Sequence, residues 1–176
     1  MSGMLRHPLR SLQGFTLLAA GVYGLFVVLG NVIDPASNLS FVAHVMSMDT
    51  TFEDNALLWR AVAAPAVHVA VFVVIVVTEA VFTVLALIGA VQLLRRRDAD
   101  RATFDRARAW GFAAYGVGIL LWFVGFIVIG SEWFAMWQSS TWNGKDTAMD
   151  LTLLWVALAV LLALNEPPTS SEERRV

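Results

Sequence analysis

The chain has 176 residues, 58% of them hydrophobic and 15% charged, with a mean hydropathy of +0.68 and a formal charge of −2. Soluble domains carry about 25% charged residues, so this composition argues against an ordinary soluble domain, and the near-neutral balance leaves no basic footprint for nucleic acid. Cysteine is absent, which excludes disulfides, thiolate metal sites and dithiol redox chemistry.

Arg6 and Arg10 precede an apolar run that continues to residue 33. A secretory h-region covers about 7–15 residues and ends at a small-residue cleavage site. Here the run is longer and ends in Asn31-Val32-Ile33-Asp34-Pro35, so it reads as a retained first span after a 1–13 cytoplasmic segment. Crossing about 30 Å of hydrocarbon takes about 20 apolar residues. Segments 14–33, 62–94, 110–129 and 148–164 meet this, the last as a short but nearly continuous run. The second is overlong, about 50 Å at 1.5 Å per residue, and is expected to tilt, kink at Pro65 or project into water. The fold class expected is all-α: a polytopic membrane protein built as a four-transmembrane-helix bundle over residues 14–164. Two outer loops, 34–61 and 130–147, are expected to carry short interfacial helices.

Basic residues in short flanks set orientation. Arg6, Arg10, Arg95, Arg96, Arg97, Arg101, Arg106, Arg108, Arg174 and Arg175 lie on one side, against Arg60 and Lys145 on the other. Both termini are therefore expected in the cytoplasm. The inner loop, 95–109, is expected to continue helically between its spans, with its charge serving as a positive-inside anchor. The tail, 165–176, has no apolar periodicity and is expected to be disordered.

In the first outer loop Ser40, His44 and Ser47 face away from Phe41, Val42, Val45 and Met46, which predicts an amphipathic helix with Asn38 as its N-cap. Thr51-Phe52-Glu53-Asp54 resembles a capping box leading into the second span. His44, Met46 and Met48 invite a copper reading, but residues two apart point to different helix faces, so His44 and Met46 are not expected to chelate together. The second outer loop, SEWFAMWQSSTWNGKD, places Trp133 and Trp137 at i, i+4, which predicts stacked indoles on one further helical turn. Trp142-Asn143-Gly144 reads as a tight turn. An aromatic belt at the membrane surface explains these tryptophans, though not Glu132. The two loops are expected to meet, with Arg60 paired to Glu132 or Asp49.

Glu79 lies within an apolar run with no intramembrane Lys or Arg to pair with. A carboxyl there is costly and marks a functional site by default. Tyr23, Thr78 and Thr83 are its expected neighbours. His68 stands 11 residues earlier on nearly the same face, about 16 Å away along the axis, so the two complete one stripe without touching. Such a stripe suits a proton path or a quinone pocket; a buried network that fixes helix register explains it equally well. Small residues at Gly14/Gly21, Ala20/Gly24 and Ala114/Gly118/Gly125 allow close helix approach, either within the bundle or toward a partner.

The N-x-x-D-P-x-S-N stretch followed by FVAHVMSMDT, then LWRAV, Glu79 and EWFAMWQSSTWNG resemble the bacterial family of predicted small integral membrane proteins of unknown function. The resemblance runs from about residue 14 to 164. It implies a four-span protein of the bacterial plasma (inner) membrane and brings no activity, substrate or cofactor.

Three functions are consistent with these residues. The first is an accessory or assembly subunit docking on a larger membrane complex or forming a homo-oligomer, with no catalytic residue, no metal site and no cofactor. The second is a proton-linked transporter using Glu79 and His68. The third is a quinone- or haem-binding redox subunit using His68, Arg60 and the aromatic rim. Candidate functional positions are Glu79, His68, Arg60, Asp49, Glu132, Trp142 and Asn143.

Overall fold

The computed structural model describes residues 7–166. Most of the expected disordered tail, with Arg174 and Arg175, lies outside the described residues, as does Arg6. The described chain is helical, without strands, and four of its helical stretches are long and apolar enough to cross a membrane. Helix α1 spans Pro8–Ile33, and α2, Pro35–Ser47, follows after a single residue. Helix α3 spans Pro65–Arg95, α4 spans Arg101–Ile119 and runs on to Trp133, and α5 spans Lys145–Ala163. Helices α1 and α3, α3 and α4, and α4 and α5 pack as neighbours. The end bearing both termini is termed the basal end, and the opposite end, closed by α2 and two loops, the capped end.

Proline opens three of the helices, at Pro8, Pro35 and Pro65. Its fixed φ suits the first helical position, where its missing N–H has no partner to lose. The expected kink at Pro65 is therefore a helix start, and the 51–54 capping box is not one: residues 61–64 precede α3 as extended chain, and Leu58–Arg60 forms a single 3₁₀ turn. Asp34, not Asn38, caps α2, accepting from the Ser37 amide and hydroxyl. The Asp-Pro pair outranks Asn38 because it supplies both the side-chain acceptor and the preset φ. The inner loop is not one continuous helix. Residues 96–100 turn, and Asp100 caps α4 by accepting from the Thr103 amide at 2.9 Å and its hydroxyl at 2.7 Å.

Beyond Ile119 the chain winds more widely, as π-helix over Leu120–Trp133, and its last bond runs from Phe134 N–H to Ile129 O. π-Helix is rare and occurs mostly as single turns, so fourteen residues of it are unusual.

The basal end is latched by polar side chains. Arg10 donates to Arg97 O (2.9 Å) and Ala99 O (2.7 Å), Gln13 donates to Leu161 O and Leu164 O, and Arg108 donates to Leu164 O (2.6 Å) and Asn165. Glu166 accepts from His7 and from the Leu9 amide. These bonds satisfy carbonyls that the ends of α3 and α5 would otherwise leave without partners.

The small residues are used inside the bundle. A Cβ on Gly21 would lie 2.7 Å from Leu87 Cδ2, and one on Gly14 would meet Leu94 at 2.6 Å, so α1 and α3 approach backbone to side chain. Gly118 faces Trp155 and Phe82. Gly125 belongs to no such contact; its Cβ would meet only Leu121 of its own segment. The centre of the core is aromatic: Trp155 packs against Phe82 (4.9 Å), Trp122 (5.8 Å), Tyr23 (5.8 Å) and Tyr115 (6.1 Å).

Candidate functional site

The candidate polar residues fall into two groups, both in the capped half. The first is the buried pair of Glu79 and Asn31. Glu79 sits on the inward stripe of α3 with Phe82, Thr83, Ala86, Gly89, Ala90 and Leu93. Asn31 donates to Glu79 Oε2 at 2.7 Å, and both side chains are buried. Asn31 is two residues from the end of α1. The carboxyl therefore sits level with the capped end of the first helix, and what looks like an isolated mid-span acid in the sequence has an amide partner 48 residues away. Thr83 is adjacent but donates to the Glu79 carbonyl, not to its carboxyl.

His68 is buried nearer the start of α3, and its Nε2–H donates to Val62 O at 2.6 Å. It thereby ties the extended strip before α3 back onto the helix. Val62 N–H in turn donates to Met46 O at 2.8 Å, which fixes the same strip to α2. His68 and Glu79 share a face, as their spacing requires, but each is engaged with a different partner.

The second group is the cap. Val42, Val45, Met46 and Met48 from the first loop pack with Phe134, Ala135 and Met136 from the second. Polar contacts lock the same interface: the Thr50 and Ser139 hydroxyls are bonded at 2.8 Å, and Phe52 N–H donates to Gln138 Oε1. The expected meeting of the loops is therefore observed. Met48 (φ 54°) and Ala135 (φ 52°) adopt left-handed backbone, a conformation that costs non-glycine residues about 1–3 kcal/mol and persists only where surroundings enforce it. Here both residues are buried at the contact between the loops.

The left-handed Ala135 ends the helix and breaks the expected i, i+4 stack. Trp133 packs edge-on against Trp59 at 5.9 Å, while Trp137, in the 3₁₀ turn Met136–Gln138, packs edge-on against Phe52 at 5.8 Å. The expected Asn-Gly reversal is also absent. Gly144 has φ −98° and is the N-cap position of α5, and Asn143 Oδ1 accepts from Lys145 N–H.

Arg60 does not pair with either carboxylate. Its Nη1 lies 3.5 Å from Glu132 O and 3.4 Å from Trp133 O, and its guanidinium stands over the rings of Trp59 (5.2 Å) and Trp133 (4.9 Å). Its Nε is buried without a partner, and among the described residues Arg60 makes no ion pair. Asp49 instead accepts from His44 Nδ1 at 2.8 Å, and the His44 ring stacks on Trp142 at 4.6 Å. Met46 and Met48 lie buried in the cap core, away from that histidine.

Beneath the cap, α3 and the π-helical segment diverge. Near the basal end Gly89 would bring a Cβ within 3.2 Å of Gly111 N, so the helices touch there. Toward the cap they enclose a cleft of about 490 Å³, roofed by α2 and lined by Val45, Val74, Thr78, Leu121, Gly125 and Phe134 among others. Sequence reasoning did not single out Asn31, nor the cleft that this lining encloses. Asn31 carried a signal, a lone amide in an apolar run; the lining carried none, because apolar residues facing a cleft read like apolar residues facing lipid.

No curated protein and no solved structure matches the chain. A family model described as predicted small integral membrane protein (DUF2165) matches residues 9–165. With four membrane-length helices and a match over most of its length, the chain belongs to this family of predicted small integral membrane proteins.

Proposed function

We propose that the protein is a non-catalytic accessory subunit of a bacterial plasma membrane, docking on a larger membrane protein through its cap, with both termini in the cytoplasm. The observation that carries this reading is an aromatic ridge. Phe52, Leu58, Trp59, Trp133 and Trp137 are 45–71% exposed at the capped end, and four of them are held in two edge-on pairs, Phe52 with Trp137 and Trp59 with Trp133. Preordered tryptophans lose little freedom on association, and tryptophan and arginine dominate binding energy where proteins meet. The orientation rests on the basal arginines of the α3–α4 turn and α4 set against Arg60 and Lys145 at the cap. The transporter reading has less support, because Glu79 and His68 each hold a structural partner and neither lines the cleft beneath the cap. A redox role through His68 and Arg60 is no better supported, since His68 Nε2 is engaged by a carbonyl.

Site-specific photocrosslinking in native membranes tests the docking. A crosslinker at Phe52 or Trp137 should give one discrete adduct, and one at lipid-facing Phe26 should not. Trp59→Ala with Trp137→Ala should abolish that adduct while the chain stays folded. Uniform crosslinking to lipid at all positions, with a stable monomer on purification, would overturn the reading.

A further inference from the structure

We propose that the cleft between α3 and the π-helical segment holds one acyl chain of an anionic phospholipid, with the lipid phosphate bound by Arg60 at the cap. The docking role above is not needed for this. The cleft's volume of about 490 Å³ lies within the range of small-ligand sites, about 300–1,000 Å³. Its one polar side chain is Thr78, whose hydroxyl donates to Val74 O at 2.7 Å. The side chains of the walls therefore present no free donor, and an apolar cavity of this kind does not hold water. Only hydrocarbon suits the interior, and the cleft lies within the span-forming parts of α3 and α4, where lipid chains are the surrounding solvent.

The cleft is made by backbone, not by a missing side chain of ordinary packing. Gly125 leaves the wall bare, and a Cβ there would touch only Leu121, at 3.8 Å. The wider winding of Leu120–Trp133 carries the segment away from α3 at this level.

Arg60 is not part of the cleft wall but stands at the cap, against a carbonyl one residue along the chain from it. Phe134 lines the cleft, and the carbonyl of the preceding residue, Trp133, faces Arg60. The guanidinium has no carboxylate partner among the described residues, and its buried Nε donor is unmet. Buried donors are rarely left without an acceptor. A guanidinium fork matches two phosphate oxygens, and flanking indoles are typical of the level at which lipid phosphates sit. A neutral quinone head would leave the cation unmatched. A partner's apolar helix would do the same. A phospholipid with a net negative head supplies the chain and a phosphate without a counter-charge, whereas a zwitterionic one carries the same phosphate already balanced by its own ammonium.

The test uses the full chain, delipidated in detergent and offered phosphatidylglycerol or phosphatidylcholine of identical chains, read by native mass spectrometry. The protein should retain one phosphatidylglycerol, about fivefold more tightly than phosphatidylcholine, the preference that one arginine at the membrane surface gives for a head of net negative charge. Arg60→Gln should remove the preference and keep the chain-dependent binding. Gly125→Leu, which places its side chain in the open cleft, should remove binding of both lipids; Val74→Phe, at a lipid-exposed position of the wall, does the same should the first variant fail to fold. Equal retention of the two lipids by the unaltered protein, no retained lipid, or unchanged retention in folded Gly125→Leu and Val74→Phe would each overturn the proposal. So would finding a quinone or a peptide in the cleft of the native protein.

Discussion

Replacing Asn31 by leucine removes the side-chain donor on which the Glu79 carboxyl relies, at 2.7 Å in a site where both residues are about 5% exposed (6% and 5%). Leucine matches asparagine in branching and heavy-atom count, so the change alters shape little and chiefly reports the polar loss. An acceptor left unmet in a buried site costs about 1–3 kcal/mol, whereas interhelical hydrogen bonds in membranes average about 0.6 kcal/mol and reach about 1.7. Asn31→Leu should therefore destabilise the bundle by about 1–3 kcal/mol. The coupling energy in a cycle with Glu79→Leu should fall at about 0.6–1.7 kcal/mol. Glu79→Gln keeps a carbonyl acceptor for Asn31 and should lose less than Asn31→Leu. Equilibrium unfolding by steric trapping in bicelles measures all five proteins, the four of the cycle and Glu79→Gln, in one lipid environment. Zero coupling would mean that the pair does not hold α1 to α3. A Glu79→Gln protein of unchanged stability that lost proton-coupled uptake in vesicles would refute the structural role and restore the transport reading.

Gly21→Ala should destabilise by about 1–3 kcal/mol, the usual cost of overpacking, because its Cβ would sit 2.7 Å from Leu87 Cδ2; Gly116→Ala, with nothing within 4 Å, should instead gain up to about 1 kcal/mol of helix propensity. The same unfolding assay compares them. Thr50→Cys with Ser139→Cys should form an intramolecular disulfide on mild oxidation of this otherwise cysteine-free chain, since the two hydroxyls are 2.8 Å apart; a failure to crosslink, read by gel shift after thiol labelling, would separate the loops. The Thr103 hydroxyl and amide bonds hold the Asp100 carboxyl below its ordinary value of 3.8. Because the folded value is depressed, the stabilisation is complete above the unfolded value and fades as pH falls through the lower folded one. The melting temperature of Asp100→Ala should thus lie below that of the unaltered protein by a constant margin from pH 5 to 8, and the margin should shrink only in stronger acid.

The sequence by itself determined the number of spans, because a length of apolar chain long enough to cross a bilayer needs no tertiary information to be recognised. It marked the inward face of the second span at Glu79 and His68, though not through hydrophobicity. Helix α3 is apolar all round, since lipid and protein core are both apolar, and its inward stripe is marked by Glu79, Thr83, Ala86, Gly89 and Ala90. The helix starts at Pro35 and Pro65 were misjudged, with Asn38 expected as a cap and Pro65 as a kink, because the Asp34 acceptor and the preset proline φ act together. Local propensity failed in the second loop. Nothing in Ala135 predicts a left-handed backbone, and Asn143-Gly144, a strong turn signal, leads into α5 without one. In both places contacts from the other loop outweigh the local preference of about 1 kcal/mol or so. Only the tertiary structure decided that Asn31 meets Glu79, that Arg60 lies between two indoles without a carboxylate, and that a cleft opens beneath the cap. Each depends on how far two helices distant in sequence approach or diverge, and that distance is set by bare glycine backbone on one helix and side chains on the next.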